Sequence, residues 1–412
     1  MTFRILSFDG GGIRGVMSAV MLKAVEQMLD KPLNQHFDLI AGTSTGSILA
    51  ASVATGLKSQ NIIELYKQKG QIIFPYTSLF SIQRLGLVRQ FGLSAPKYSN
   101  SGLVNVLKDQ LRDQKLSEIE STKLLIVSYD TISRNPIMFK SWRKDKPWTN
   151  IPLWEACLCS AAAPSYFPAH LLRCIVEGKS QGGTLNTITL AEDASWTADD
   201  YIKQRIDIIA GAGSGQTRTI ISYDADSRVA KVDSPWNTVP DNTSIYRVLV
   251  EYSAIDGGVG ANNPTACAVA EGIRLSRKSP TKRSGNELLE QPKVADLFED
   301  ISVLSIGTGS ANRPIPWHQV RGWGLIQWGW KGRLIDVVFD APSDIHDYIT
   351  KQMMSIPGVA DETSPRYLRL QPQILNDYMD DATPQNVAKL IQEAEDYIQA
   401  NQNLIRKFLE NS

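Results

Sequence analysis

Apolar and polar residues follow two different periods along this chain, and the two periods divide it. Predominantly apolar runs of strand length occur at 3–8, 37–41, 124–129 and 301–306. Without a polar face, such runs predict strands buried on both sides. Between them lie helical runs. Gly15–Leu29 is mostly apolar, with Lys23, Glu26 and Gln27 on one side. Ser44 to Thr55 is rich in small residues (Ala50, Ala51, Ser52) that let a helix pack closely on a sheet. Trp154–Ala163 reads as a helix stopped by Pro164. Near the end, Thr383 is a candidate N-cap with Pro384 at the first helical position. Val387, Leu390, Ile391, Ala394, Tyr397 and Ile398 then form one apolar stripe. Strands alternating with helices predict an α/β fold with a mainly parallel sheet covered on both faces, a three-layer α/β/α sandwich.

The other period lies between 175 and 248. Composition there shifts to Thr, Ser, Asp, Gly and Ile, and Thr184–Leu190 alternates at period two. Ile206–Ile209, Arg218–Tyr223 and Val229–Val232 are further short strands between Gly or Asp turns. Gly211–Arg218 through Asp233–Trp236 is similar to β-rich segments of phage tail and other surface-structural proteins. The expectation is a small all-β module, 175–248, inserted into a surface loop of a core formed by 1–174 and 249–412.

Composition narrows the function. The 412 residues are 42% apolar and 21% charged, which is globular and not disordered. Lys plus Arg equals Asp plus Glu at 43 each, so no net charge steers the chain to nucleic acid or to anionic membranes, although a local basic patch stays open. Cys157, Cys159, Cys174 and Cys267 lack the paired spacing of a zinc site and read as free thiols of a reducing compartment. The chain enters strand Arg4–Phe8 with no basic and apolar leader, and no run nears the roughly 18 apolar residues of a membrane span. The expected location is cytoplasmic, with visits to a membrane surface.

Two short stretches carry chemistry. Gly42-Thr43-Ser44-Thr45-Gly46 reads G-x-S-x-G between a strand and a helix. That context is a nucleophile elbow, which lifts a serine hydroxyl clear of its sheet. Asp9-Gly10-Gly11-Gly12-Ile13-Arg14-Gly15 is also strand, glycine loop, helix. Its amides at a helix N-terminus suit a negative charge, such as an oxyanion. Gly10, Gly12 and Gly15 also fit a dinucleotide fingerprint, with Asp30 as the acid, but Asp30 precedes Lys31-Pro32 before the second strand begins, and the elbow would be left unexplained. None of His36, His170, His318 and His346 sits in a motif suggesting a base. A different base is offered by Asp256-Gly257-Gly258, where an acid ends an apolar strand. Trp317, Trp323, Trp328 and Trp330 cluster where they could either pack over a sheet edge or enter a membrane interface. The run Arg277–Arg283 reads as a solvated loop.

In order and flanks these pieces resemble the patatin-like phospholipase family: the D-G-G-G-x-R-G loop of Asp9–Gly15, the elbow of Gly42–Gly46 and the D-G-G of Asp256–Gly258. Ser160–Pro168, Gly260–Pro264, Ser305–Gly309 and Asp380–Pro384 extend the likeness from Phe3 to about Gln399, with a break at the β module. The resemblance implies a Ser44–Asp256 dyad and no histidine base. It implies an acyl-enzyme on Ser44 and an oxyanion hole within Gly10, Gly11, Gly12, Ile13, Arg14 and Gly15. The implied substrate is a membrane glycerophospholipid, cleaved at an acyl ester without metal or cofactor. Arg14 could orient the loop or meet a lipid phosphate. An oligomer is compatible with the sequence. A non-enzymatic scaffold, in which the β module recognises a partner, is the alternative, and the intact Ser44 and Asp256 speak against it.

Overall fold

The computed structural model describes residues 2–411 apart from 77, 79–80, 195–199, 277–299, 312–313, 325–326, 329–332, 356–365 and 377. Trp330 and the Arg277–Arg283 run lie outside the described residues.

Five strands form the parallel sheet, in the order β13 (Tyr367–Leu370), β12 (Ile301–Ile306), β1 (Phe3–Phe8), β2 (Leu39–Thr43) and β3 (Lys123–Asp130). Alternate residues face opposite layers, as the two-residue period of a strand requires. Leu6, Phe8, Ile40, Leu124, Ile126, Leu304 and Ile306 join one apolar core. Ile5, Leu39, Ala41, Leu125, Ile301 and Val303 join the other. The first is covered by α1 (Gly15–Met28), α2 (Thr45–Ala54), α3 (Ser59–Ile73), α4 (Ser101–Leu111), α5 (Leu153–Ala161) and α8 (Pro384–Glu410). The second is covered by α6 (Thr265–Ser276), with α7 (Arg333–Met354) against it. The fold is therefore the three-layer α/β/α sandwich read from the sequence.

Boundaries moved for local reasons. β2 starts at Leu39, not 37, because Phe37 donates its amide to Leu33 and closes a short helix. It then runs on to Thr43, directly below Ser44. The alternation of 184–190 is not one strand. It is a hairpin of β6 (Gly182–Thr184) and β7 (Thr187–Thr189), turned at Leu185 and Asn186. The Thr383 cap is as expected, its side chain accepting from Asn386 N.

The position of β11 (Ile245–Asp256) decides the site. β3 pairs with β4 (Asn135–Lys140) along one edge, from Leu125 to Asp130. Its other edge is shared by two strands. β2 runs parallel along it as far as Val127, which partners Thr43. β11 runs the opposite way and stops at Ser128, which partners Asp256. The carboxyl ends of β2 and β11 thus meet head to head against adjacent residues of β3. From there β11 continues away from the sheet, paired with β5 (His170–Lys179) over ten residues from Ala254 to Ile245. At about 3.4 Å per residue this ribbon is roughly 30 Å long. β8 (Arg205–Ala210), β9 (Thr217–Asp224) and β10 (Val229–Val232), with the β6–β7 hairpin, complete the sheet at its far end. β5 and β11 pass through positions 175 and 248 without interruption. The apolar interior is also continuous, from Leu172 and Cys174 through Val248 and Val250 to Ile206, Ile208 and Trp236.

Candidate active site

Ser44 sits between β2 and α2 with φ 55° and ψ −126°. A non-glycine residue held there costs on the order of 1–3 kcal/mol and persists only where its surroundings enforce it. The enforcement is visible. A Cβ on Gly42 would lie 2.1 Å from Gly46 O, and one on Gly46 would lie 2.3 Å from Phe8 O. Only glycine lets the turn close this tightly against β1. Ser44 N donates to Ser160 Oγ at 2.8 Å, and that hydroxyl donates to Val127 O at 2.6 Å.

Ser44 Oγ donates to Asp256 Oδ2 at 2.6 Å. Asp256 is 1% exposed. Its other oxygen accepts from Gly258 N at 2.7 Å, and its own amide donates to Ala162 O at 3.0 Å. Burial pushes its pKa up to about 7, against the opposing hydrogen bonds from Ser44 and Gly258. No cation among the described residues contacts the carboxylate, so desolvation prevails.

β1 and β2 are neighbours in register, Phe8 opposite Gly42, so the glycine loop comes down beside the elbow. A Cβ on Gly10 would stand 3.0 Å from the Ser44 Cβ. Within the loop, most amides are committed. Gly10 N donates to Asn262 O, Ile13 N to Met379 O, Arg14 N to Gly11 O, and Gly15 N to Gly12 O and Ile13 O. The amides of Gly11 and Gly12 have no partner among the described residues. Arg14 is buried, its guanidinium donating to Gly11 O and Gly309 O. Of the two roles open to it, these contacts fit orienting the loop. Asp9 is likewise buried, held in a bidentate pair by Arg369 (2.6 and 3.2 Å) with Ser343 on the same carboxylate.

Ser44 and Asp256 line a narrow cavity that opens to solvent. Gly11, Gly12, Ile13 and Thr45 border the polar end. Ile48, Leu65, Ile73, Phe74, Leu103 and Phe167 make the rest apolar. This shape suits a ligand with one reactive polar group and a hydrocarbon chain. No histidine lines it. His170 pairs with Glu155, His346 meets Asn263 O, His36 is at the opposite end of β2, and His318 lies on the short helix Trp317–Val320.

Several contributors were invisible locally. Arg369 reaches Asp9 across 360 positions from a four-residue strand. Met379, Thr308 and Asn262 hold the glycine loop through backbone or short side-chain contacts that no spacing announces. Ser160 had a faint signal, a serine in a small-residue helix end, which close packing against the elbow requires.

Strand, glycine turn and helix thus occur twice over, with a carboxylate on the serine between them. The patatin-like phospholipase family model matches residues 6–191. Patatin-like protein 2 of Oryza sativa subsp. indica is 26% identical over 425 residues, covering 96% of this chain and 84% of the relative. Patatin-like protein 2 of Arabidopsis thaliana is 27% identical, covering 90% and 76%. Among solved structures, human GIVD cytosolic phospholipase A2 aligns at TM-score 0.41 and 13% identity, covering 100% of this chain and 60% of that one. The family model and these relatives support the patatin-like phospholipase family for this chain. That likeness supports lipid hydrolase activity. Among the described residues no helix is long and apolar enough to cross a membrane.

Proposed function

We propose that this protein is a phospholipase A-type acyl hydrolase working through Ser44 and Asp256. The observation that carries the reading is the 2.6 Å contact between Ser44 Oγ and a buried carboxylate, with no cation beside it among the described residues, at the polar end of an apolar cavity. Asp256, poised near neutrality, takes the hydroxyl proton as Ser44 Oγ bonds to the acyl carbon. The oxyanion of the tetrahedral intermediate is received by the two uncommitted amides, Gly11 and Gly12, with Thr45 N, at the N-terminus of α2, as a third donor. Collapse breaks the ester C–O bond. Asp256 returns the proton to the leaving glycerol oxygen, and the acyl group stays on Ser44. Water then attacks the acyl-enzyme, Asp256 again accepting the proton, and a fatty acid leaves as Ser44 is reprotonated. The acyl chain occupies the apolar part of the cavity.

Incubation with mixed phospholipid vesicles in chelator, with products identified by mass, tests this. Wild type should yield fatty acid and lysophospholipid in equal amounts, and Ser44→Ala neither. Release of a phosphorylated head group instead, or equal release by Ser44→Ala, would overturn it.

A further inference from the structure

The segment joining α3 to α4 carries a feature the chemistry does not use. Between Glu64 and Asp109 the sequence holds no acidic residue, but it holds Lys67, Lys69, Arg84, Arg89, Lys97 and Lys108. In a chain of zero net charge this is a local excess of cations. Within the same stretch a helical turn, Ile82–Arg84, continues into a short helix, Leu85–Phe91. None of its residues is buried, yet Ile82 is 81% exposed, Leu85 57% and Leu93 88%, with Phe91 also exposed. Arg89 is exposed beside them. Lys67 pairs with Glu64 and Lys97 with Asp380, so Arg89 is an exposed cation beside these apolar side chains, and such a patch standing in water is costly for a surface with no partner.

The segment is tied to the wall of the cavity. Arg84 fastens it to the following turn through the carbonyls of Leu93, Ala95 and Pro96. The chain then donates Lys97 N to Ser165 O and Tyr98 N to Tyr166 O, and Tyr166 lines the cavity. The Tyr98 ring packs on Phe74 and Phe167, two further lining residues, at 5.5 and 5.7 Å.

We propose that Ile82–Leu93 is the surface by which this protein docks on an anionic phospholipid bilayer, with Ile82, Leu85, Phe91 and Leu93 entering the interface and Arg89 facing the lipid phosphates. A short element with apolar tips and basic flanks binds a membrane by apolar burial plus attraction to acidic lipid, each weak alone. Docking there brings the cavity to the source of its substrate. This deepens the proposed function and rests on its membrane substrate.

The test separates the two readings by measuring binding without turnover. In a Ser44→Ala background, sedimentation with vesicles of phosphatidylcholine and phosphatidylglycerol should capture the protein, and pure phosphatidylcholine vesicles far less. Ile82→Ser with Leu93→Ser should lower capture at least tenfold, and Arg89→Glu should remove most of the preference for the anionic vesicles. With Ser44 restored, both variants should keep hydrolysis of a small soluble ester and lose hydrolysis of vesicle lipid. Capture of the double variant equal to its parent, or no capture of the parent at all, overturns the docking surface. A dimer in light scattering that the double variant abolishes would assign the patch to a second copy and also overturn it. A protein that docks as described but releases no fatty acid with Ser44 present would instead sink the hydrolase reading alone.

Discussion

Glycine is required for different reasons at the elbow end of the parallel sheet and at the β8–β9 turn at the far end of the β5–β11 ribbon. At the elbow, Gly11 and Gly42 are required by what stands next to them. A Cβ would meet Thr308 Oγ1 at 2.2 Å or Gly46 O at 2.1 Å. In the ribbon's outer strands, Gly215 has nothing within 4 Å of a Cβ, and its requirement is its own φ of 86°. The elbow end is assembled by distant segments approaching closely, and the β8–β9 turn is a local one. The proposed chemistry needs the former, because three groups must converge from β1, β2 and β11. β11 belongs to both regions. Its last residue is Asp256, and its first half pairs with β8.

The largest expected effect confines the chemistry to the elbow end. Ser44→Ala and Asp256→Asn should each cost roughly 10³-fold or more in kcat/KM, and the double variant should be little worse, since the two act as one unit. In wild type, kcat/KM should climb through about pH 7 and then level, as Asp256 loses its proton. The stability effect has the opposite direction. A carboxyl whose folded pKa lies above its unfolded value binds more protons folded, so its contribution is full below the unfolded pKa and is lost as pH rises through about 7. Asp256→Asn should therefore gain on wild type between pH 4 and 7, by on the order of 2–4 kcal/mol, and hold that gain above. Denaturant melts at pH 5 and pH 8 measure it. An active Asp256→Asn, with a histidine variant dead instead, would break the comparison at its centre.

Next comes Gly11→Ala. Alanine keeps the amide, but its Cβ cannot fit against Thr308 without turning the loop, and a donor turned away from the oxyanion costs up to about 10²–10³ in kcat. The Cβ would press on Thr308, itself 2% exposed, so some stability should go with it. Fluorophosphonate labelling well below the melting point distinguishes the two losses. Normal labelling by the folded variant would remove this loop from the oxyanion role.

Replacing residues 177–246 by a two- to four-residue Gly-Ser turn should do less. Val176 and Val248 are direct cross-strand partners, so a tight turn can join the cut strands in register. Soluble-ester hydrolysis should stay within a few-fold. The melting point should fall, because Asp200 leaves Lys146 at 14% side-chain exposure without its 2.6 Å partner and the apolar seam beside Val248 opens. Loss of ester hydrolysis in a folded deletion would place this segment inside the catalytic unit.

These experiments follow the line between what the sequence disclosed and what it hid. The elbow and both glycine loops were legible because their chemistry is local: strand, turn and helix fall within ten residues. Ser44 and Asp256 are 212 positions apart, and their contact was readable only through the order of motifs. The head-to-head arrival of β2 and β11 on one edge of β3 is a matter of register, which apolar runs buried on both faces do not specify. Arg369 on Asp9 was hidden for a similar reason. β13 is four residues long and carries its arginine in an otherwise apolar strand. The helix α7 was missed although it spans 22 residues, since Pro342 interrupts its pattern.

The smallest effect probes the shared strand itself. Gly215→Ala adds a methyl group into open space but demands a left-handed conformation, a cost of about 1–2 kcal/mol. Gly215 N donates to Ile208 O at 2.8 Å, so the cost should first loosen the β8–β9 turn. If local turns make that region a separate cooperative unit, amide exchange should rise in β8 and β9 and stay unchanged at Ile255–Gly258. Ester hydrolysis should then be unaltered. The β8–β11 pairing offers a route for the opposite result, because Ile206 and Ile208 are held directly to Val248 and Tyr246. Faster exchange at Gly258 N, the amide on Asp256, together with a shifted pH profile, would show strain at the turn reaching the carboxylate along β11. The two regions would then differ in how they are built and still titrate as one.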